Sequence, residues 1–435
     1  MSDYWFLIES RFSPVQLEVL NHLIRASVRS GVNLYLAGGA VRDLTSGHPI
    51  RDLDFAVEGK PREILRYVKK AELAGVDYDN LRQCAEVVFS NGVSVEIGMC
   101  RTEHYSRLGG RPTVRPAVIS DDLRRRDFSV NAMAVSLNPN SRGLFLDPNN
   151  GVADLERREL RALYNRSFWD DPARIFRLYR LGSRLQFLPG PRTVTWLERA
   201  LEDRCQTFLN KAQQGKELRE ILREDNPARV IGVLADKGFW SLLDKTLARA
   251  RISRDEFKKV RTLAGDIHDD EKVLLNFYCL THRLSGEGRR RLAQKILKGP
   301  RERRLGFRLE GEAKKLAKTL VSRPYRLPSR AYDLLRSKPR VLLYFILLFS
   351  GKAALRTQIK HFLHKYPTIR ARLPRAEIHA LGLTGGPAYE KILEQIFRQI
   401  IDAKVRTQPQ ISRLVQELVE KARRSKSRKR KKKKA

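Results

Sequence analysis

The stretch NLYLAGGAVRDLTSGHPIRDLDFAVE, residues 33–58, determines how this sequence is interpreted. Its first five residues, NLYLA, predict a short apolar strand that ends at Gly38 and Gly39. The two glycines predict the start of a helix, where backbone N–H groups can hold a triphosphate. Arg42, which follows shortly after, would add a fixed cation to that phosphate site.

Two aspartates follow within the same stretch. Residues 51–58 alternate between apolar and polar, which predicts a strand, so that Asp52 and Asp54 share one face of it. Adjacent carboxylates repel each other, and hard oxygen ligands suit Mg²⁺ bound together with substrate phosphates. Such a pair alone would also fit a solvent-facing strand edge, but the glycine turn and Arg42 favour a metal site.

A third carboxylate is expected on a neighbouring strand. Asn91-Gly92 predicts a hairpin turn between strands 85–90 and 93–99. Glu96 would then lie on the face opposite the apolar residues of its strand. It would complete a three-carboxylate, two-metal site that lowers the pKa of an attacking 3′-hydroxyl and stabilises the leaving pyrophosphate. The alternative is a glutamate at the rim of the sheet.

A second charged motif is DLRRRDFSVNA, residues 122–132. Three consecutive arginines beside a buried strand are costly unless they meet an anion. Arg126 and Asp127, together with Asn131, would suit a triphosphate and a ribose. An ordinary basic turn is the alternative.

A third motif is SFWDDPARIFRLYR, residues 167–180, in which Asp-Asp-Pro predicts a helix start. Charged side chains then recur every third residue, and this row winds obliquely along the helix. Neighbouring aspartate and arginine side chains can imitate a Watson–Crick edge. The alternative is an exposed, ion-paired helix. The residues of the row are Asp171, Arg174, Arg177 and Arg180.

The charge of the chain points to a polyanionic partner. The 435 residues include 86 Lys and Arg but only 49 Asp and Glu, a formal net charge of +37. Such an excess implies nucleic acid or an acidic membrane face. Residues 421–435 are basic without a single acid, but the chain is still strongly positive without them.

Other compartments and classes are disfavoured by the sequence. Four cysteines without a C-x-x-C pair predict neither a disulfide framework nor a zinc site. The longest apolar run, 341–349, is far shorter than the roughly 20 residues of a membrane span. We therefore expect a soluble, cytoplasmic protein with no membrane partner.

The pattern of the chain changes after Gly151. Strand patterns dominate residues 1–150, whereas apolar residues beyond them recur every third or fourth position, as in helices. We therefore expect an α+β head with a mixed or antiparallel sheet, followed by an elongated all-helical region.

Residues 38–54, 125–132 and 170–187 closely resemble three signature motifs of the class II tRNA nucleotidyltransferase and bacterial poly(A) polymerase superfamily. Their order and spacing also match, and the resemblance covers roughly the first 190 residues. It implies a polymerase-β-like nucleotidyltransferase head and helical domains behind it. These expected domains are the head (1–150), a nucleotide-selecting neck (151–240), a body (241–330), a tRNA-binding tail (331–420) and a disordered basic segment (421–435).

The resemblance also implies roles for individual residues. In that family the residues matching Asp52 and Asp54 bind the catalytic metals, and protein side chains rather than a template choose CTP or ATP. Asp170 stands where a glutamate is common, a conservative departure. The positions that match the family's nucleotide-binding residues are Gly39, Arg42, Arg126, Asp171, Arg174, Arg177 and Arg180.

Two features bear on the substrate. LGLTGGP at 381–387, with the helix expected at 392–405, resembles the tail segment of tRNA nucleotidyltransferases, whereas a lysine-rich end is typical of bacterial poly(A) polymerases. We expect Mg²⁺-dependent addition of C, A or both to the 3′ end of tRNA from CTP and ATP. The alternatives are a poly(A) polymerase and a nonenzymatic RNA-binding protein, and the clustered acids argue against the second.

Overall fold

The computed structural model describes residues 4–249, 252–263 and 265–432. The chain divides into two compact units, Met1–Ala248 and Arg249–Ala435. The first unit combines strands and helices, and the second is helical throughout its described residues. The expected α+β head followed by a long helical region is therefore confirmed. The finer domain boundaries stay predictions.

One mixed sheet organises the first unit. Seven of the strands in the described part of the chain form it, in the order β3-β4-β5-β2-β1-β8-β9. Neighbours in this sheet run antiparallel except β2 and β5, which run parallel. The strands are β1 (Leu34–Ala37), β2 (Leu53–Val57), β3 (Leu73–Asp79), β4 (Cys84–Phe89), β5 (Ser94–Met99), β6 (Arg101–His104), β7 (Thr113–Pro116), β8 (Ala134–Ser136), β9 (Phe145–Leu146), β10 (Glu159–Leu160) and β11 (Leu188–Pro189).

Helices surround this sheet and continue beyond it to the end of the first unit. They are α1 (Tyr4–Arg11), α2 (Pro14–Ser30), α3 (Gly39–Ser46), α4 (Pro61–Leu65), α5 (Ile119–Arg124), α6 (Gly151–Glu156), α7 (Ser167–Asp170), α8 (Ala173–Leu185), α9 (Pro191–Glu202), α10 (Lys211–Arg223), α11 (Pro227–Asp236) and α12 (Trp240–Leu243).

The sequence sets the ends of α2 through local hydrogen bonds. The Ser13 hydroxyl accepts from the backbone N–H of Gln16 at 3.4 Å, and the Gln16 side chain accepts from the N–H of Ser13 at 2.9 Å. Gly31 closes the helix in a left-handed conformation, at φ 69°. This is a capping box at one end and a glycine cap at the other.

The second unit consists of helices over its described residues. They are α13 (Arg254–Arg261), α14 (Asp269–Thr281), α15 (Gly286–Ile296), α16 (Gly299–Leu320), α17 (Pro328–Leu335), α18 (Arg340–Phe349), α19 (Ala353–Lys360), a π-helical turn (His361–Lys365), α20 (Tyr366–Ala371), α21 (Arg375–Ala380), α22 (Pro387–Ile401) and α23 (Gln408–Lys432). In the parts of the chain that the structure describes, no helix has both the length and the apolarity to cross a membrane.

Several segments differ from the sequence-based expectation, among them the helix expected at 392–405, which spans Pro387–Ile401. Residues 73–79 form the strand β3, which the pattern did not reveal because this edge strand is largely exposed and lacks apolar alternation. The segment 421–435, expected to be disordered, is helical as far as Lys432, and its last three residues lie outside the described residues. Lysine, arginine and alanine are good helix formers, so a helix packed at its start can continue through them.

A cluster of buried residues between α17, α20, α22 and α23 forms the core at the end of the second unit. Phe397 lies at its centre with no exposed surface, and its ring meets that of Tyr332 edge-on at 4.8 Å. Arg370 covers the same ring, with its guanidinium carbon 5.3 Å from the ring centroid.

Replacing Phe397 with Ala should destabilise this cluster by about 3–5 kcal/mol, the usual cost of deleting a large buried aromatic side chain. Hydrogen exchange of the full chain should show faster exchange in α17, α20 and α22. Val321, which is 39% exposed, provides the control. Equal protection in the Phe397→Ala and Val321→Ala proteins would contradict this account of the core.

Candidate active site

The turn between β1 and α3 is packed directly against charged side chains. Gly38 has φ 72°, and its N–H donates to the carbonyl of Met133 at 3.1 Å. A β-carbon at Gly38 would lie 2.8 Å from Nη1 of Arg126 and 3.4 Å from Oδ2 of Asp54. Glycine is favoured there because this left-handed backbone conformation strains any other residue, and a β-carbon would also displace the guanidinium of Arg126.

Arg42 lies one turn into α3 and is buried, with 2% of its surface exposed. Its Nε and Nη2 donate to Oδ1 of Asp43 at 2.8 and 2.7 Å, and its Nη1 donates to Oδ1 of Asn131 at 2.5 Å. A β-carbon on Gly39 would lie 3.5 Å from Nη2 of Arg42. The guanidinium is therefore fixed beside the glycine turn.

The carboxylates meet where β2 and β5 run parallel. Asp54 pairs with Glu96 in the register of the two strands, and Glu96 lies on the exposed face of β5, as its alternation predicts. Burial, followed by the charges of Glu96 and Asp52, raises the pKa of Asp54 to about 7, against the opposing charges of Arg126 and Arg42. The three carboxylates are therefore close enough to repel one another.

Asp52 differs from its expected position. The strand β2 begins at Leu53, so Asp52 lies in the loop just before it, with 48% of its side chain exposed. Its Oδ1 accepts from Nη2 of Arg223 at 2.8 Å. Asp52 lies close to Asp54, as expected. However, Asp52 lies in a loop and not on a face of the strand.

The donor set fits a magnesium ion that is completed by a substrate. In the described ranges, no three His, Cys, Asp or Glu side chains form a preassembled metal cage. Mg²⁺ seldom needs one, because it usually binds one or two carboxylates together with substrate phosphates and water. Asp52 and Asp54 supply such a pair, and a cation there would offset the repulsion that raises the pKa of Asp54.

The buried carboxylate of Asp122 holds two arginines of the arginine-rich motif in place. This carboxylate is 1% exposed and accepts from Nε and Nη2 of Arg126 at 3.2 and 3.0 Å, and from Nε of Arg125 at 3.0 Å. Burial opposes its ionised form, but the charges of Arg126 and Arg125 outweigh it and hold the pKa of Asp122 below its usual value. The carboxylate of Asp122 therefore supplies part of the negative charge that these buried arginines require.

A second chain of ion pairs joins the head to α8. Asp127 accepts from the side chain of Asn131 at 3.1 Å and from Nη1 of Arg177 at 3.2 Å. Arg177 also pairs closely with Asp171, just before α8. Burial would raise the pKa of Asp127, but Arg177 and the hydrogen bond from Asn131 lower it overall. Asp127, Asn131, Asp171 and Arg177 therefore form one connected group.

Arg174 and Arg180 lie on either side of that group along α8. Arg174 is 3% exposed and donates to the hydroxyls of Tyr164 and Ser167 at 2.9 and 2.6 Å. Arg180 donates instead to Oε1 of Glu224, at 3.3 Å. The structure thus brings Arg174 and Arg177 around Asp171 and joins Arg180 to the end of α10.

The three arginines of α8 share an unusual feature. The Nε atoms of Arg174, Arg177 and Arg180 are buried and have no hydrogen-bond partner among the described residues. Unsatisfied buried donors are costly in a folded protein, and a ligand acceptor is one reason for their retention.

Several site residues were missed from the sequence. Asp122 lies within the arginine-rich motif, and its i,i+4 spacing to Arg126 is the sequence signal that could have predicted their ion pair. Tyr164, Arg223 and Glu224 carry no local signal, because their partners are distant in sequence.

Replacing Asp122 with Asn should lower the free energy of unfolding at pH 7 by about 3–5 kcal/mol, since it leaves two arginines without their buried counterion. The folded pKa lies below the unfolded value of about 3.9, so this stabilisation is present above pH 4 and is lost as the pH falls further. The difference from wild type should therefore shrink in acid, as measured by urea denaturation at several pH values. Asp121→Asn, an exposed neighbour, should cost less than about 1 kcal/mol. An equal loss in both variants would contradict this role.

Known proteins resemble the chain in sequence. Residues 34–161 match the poly A polymerase head domain. The chain is 29% identical to an A-adding tRNA nucleotidyltransferase of Geobacter sulfurreducens, over 89% of this chain and 45% of that protein. It is 34% identical to a CC-adding tRNA nucleotidyltransferase of Deinococcus radiodurans, over 54% of this chain and 61% of that protein. The chain thus spans about half the length of the curated relatives it matches.

Solved structures show the same fold. A CCA-adding enzyme in apo form II superposes with a TM-score of 0.51 at 23% identity, covering 96% of this chain and 99% of that one. A tRNA-processing enzyme in apo form I gives 0.52 at 21% identity, covering 90% and 99%. The match of residues 34–161 to the poly A polymerase head domain agrees with the resemblance that the sequence motifs indicate.

Proposed function

We propose that the protein is a template-independent nucleotidyltransferase that adds C, A or both to the 3′ end of tRNA from CTP and ATP. The observation that supports this most directly is the packing of Asp54 against Gly38 and Arg126, with Glu96 on the adjacent strand. Carboxylates next to a phosphate-binding turn are what nucleotidyl transfer requires. Two of the matched relatives are named as A-adding and CC-adding tRNA nucleotidyltransferases.

The chain's own residues would divide the reaction between them. The backbone of Gly38 and Gly39 would hold the triphosphate, and Arg42 and Arg126 would neutralise its charge. The 3′ oxygen of the tRNA would form a bond to the α-phosphorus as the bond to the β-phosphate oxygen breaks, releasing pyrophosphate. Asp52 and Asp54 would orient the attacking oxygen and the α-phosphate in line.

Asp52 and Asp54, joined by Glu96, would hold Mg²⁺, and proteins of this family are typically metal-dependent. When bound there, the ion would lower the pKa of the 3′-hydroxyl and offset charge on the leaving pyrophosphate.

The neck residues would select the base. Asp127 and Asn131 would contact the ribose. Asp171 and Arg174 lie together, with an Nε–Oδ2 separation of 3.9 Å. Asp171 accepts hydrogen bonds and Arg174 donates them, so the pair can form hydrogen bonds with the edge of a base. Arg177 and Arg180 would extend this surface, using the Nε donors that have no hydrogen-bond partner among the described residues.

The positive charge of the chain suits tRNA as the acceptor. RNA helices are recognised mainly through their backbone and shape, which needs basic surface rather than sequence-specific contacts. The basic segment at the end of α23 supports a second candidate, a poly(A) polymerase. The activity would then be addition of long adenylate tails to RNA.

One assay separates the candidates. Three tRNA transcripts ending before C74, before C75 and before A76, together with an oligoadenylate primer, are incubated with CTP or ATP and Mg²⁺. Completion of the tRNA ends by CCA, CC or A supports the proposal. Long tails on oligoadenylate would favour the polymerase, and no addition to any primer would favour a binding protein.

The same assay should show that Asp54→Asn reduces nucleotide addition by at least about 10³-fold, because a carboxylate that orients the reacting phosphate is lost. Binding of tRNA, measured by filter retention, should change little. Asp121→Asn removes the same charge from an exposed position and should retain normal addition. Turnover of the Asp54→Asn protein near the wild-type rate would refute the catalytic assignment.

Arg174→Lys keeps the charge but removes the forked donor, so it should reduce the preference for CTP and ATP over GTP and UTP by about tenfold. Ratios of kcat/KM for the four nucleotides measure this. The control is Arg166→Lys, since Arg166 is exposed near the same helix and pairs only weakly with Asp170, at 3.9 Å. Unchanged discrimination in Arg174→Lys would count against base selection by α8.

A further inference from the structure

Two short charged segments face each other beside the carboxylates. Arg51 and Asp52 lie in the loop that leads into β2, and Arg223 ends α10 and is followed by Glu224 and Asp225. We refer to these five residues as the clasp. They are more than 170 positions apart in sequence, and each segment carries both signs of charge.

The clasp is held by reciprocal ion pairs. Nη1 of Arg51 lies 3.3 Å from Oε2 of Glu224, and its Nη2 pairs closely with Asp225. In the opposite direction, Nη2 of Arg223 lies 2.8 Å from Oδ1 of Asp52. Each segment thus supplies the cation for the other's carboxylate.

The Arg223–Asp52 and Arg51–Asp225 pairs of the clasp are both partly exposed, unlike the pairs that hold Arg126 and Arg42. The side chain of Asp52 is 48% exposed and that of Arg223 is 32% exposed, whereas Asp122 and Asp43 are almost completely buried beneath their arginines. Exposed pairs contribute little net stability and exchange readily with solvent ions. The cation on Asp52 is therefore replaceable, while those on Asp122 and Asp43 are structural.

Arg223 also lies next to the carboxylate oxygen at which a metal ion would have to bind. It donates to an oxygen of the same carboxylate that the proposed function assigns to Mg²⁺. A guanidinium and a divalent ion on one carboxylate repel each other, so either one weakens the binding of the other.

The other end of the clasp reaches the nucleotide-selecting helix. Glu224 is 5% exposed, and its Oε1 accepts from Nη1 of Arg180 at 3.3 Å. Arg184 approaches the same oxygen to 3.7 Å. Arg223 therefore lies at the junction between the carboxylate site and α8.

We propose that Arg223 is a resident counterion of Asp52 that competes with a divalent cation for this carboxylate. The inference rests on the proposed function, since it takes Asp52 as a metal ligand. Arg223 acts as a positioning residue: it keeps the loop of Asp52 docked on α10 until a divalent ion takes its place.

The test is binding of Mn²⁺ alone to the full chain without nucleotide, followed by electron paramagnetic resonance of the free ion. Arg223→Gln should lower the Kd for Mn²⁺ about three- to fivefold, the range expected for loss of an exposed ion pair. Arg223→Lys retains the competing charge and should bind Mn²⁺ like the wild type. Arg229→Gln removes the same charge from an exposed residue on α11 that bonds to Gln186, and it should leave the Kd unchanged.

The outcomes that overturn the inference are distinct. Unchanged or weaker Mn²⁺ binding in Arg223→Gln, or an equal gain in Arg229→Gln, would show that Arg223 does not compete at this site. Asp52→Asn tests the proposed function separately. If it weakens Mn²⁺ binding while Arg223→Gln has no effect, only the inference fails; if Asp52→Asn leaves Mn²⁺ binding intact, the metal assignment fails and the inference with it.

Discussion

The parallel pairing of β2 with β5 is the constraint on which the rest of the site depends. It puts Asp54 beside Glu96, so two acids lie next to each other on neighbouring interior strands of the sheet in a basic protein. Two unit charges about 4 Å apart interact by about 4 kcal/mol at an effective dielectric constant near 20. Arg126 and Arg42 offset part of this repulsion, and the remainder, together with burial, raises the pKa of Asp54 to about 7.

Those arginines are in turn held by carboxylates of their own, and this arrangement explains the layout of the head. Arg126 is fixed by Asp122, and Arg42 by Asp43. Both carboxylates are buried, so removing either partner would leave an uncompensated charge in the interior. The arginines are thereby held beside the glycine turn, and this pre-positioning would reduce the reorganisation that binding of an anion requires.

Local patterns in the sequence predicted the parts of the fold that local physics determines. The glycine turn, the helix after it, the hairpin at Asn91-Gly92 and the outward face of Glu96 follow from short-range conformational preferences and alternation. The edge strand β3 did not, because its exposed side chains leave no periodic signal. The partners of Asp52 and Arg174 were also hidden, since Arg223 and Tyr164 reach them through tertiary packing.

Net charge and individual buried charges carry different information about this protein. A net charge of +37 predicts a polyanionic partner but no chemistry, because solvated lysines and arginines attract any nucleic acid. More specific information comes from arginines that are buried against acids. It also comes from the Nε atoms along α8, which have no hydrogen-bond partner within the described part of the chain. A buried donor without an acceptor raises the free energy of the empty site, and a ligand that supplies the acceptor regains that free energy on binding. Selectivity for one base can therefore arise from protein side chains without a template strand.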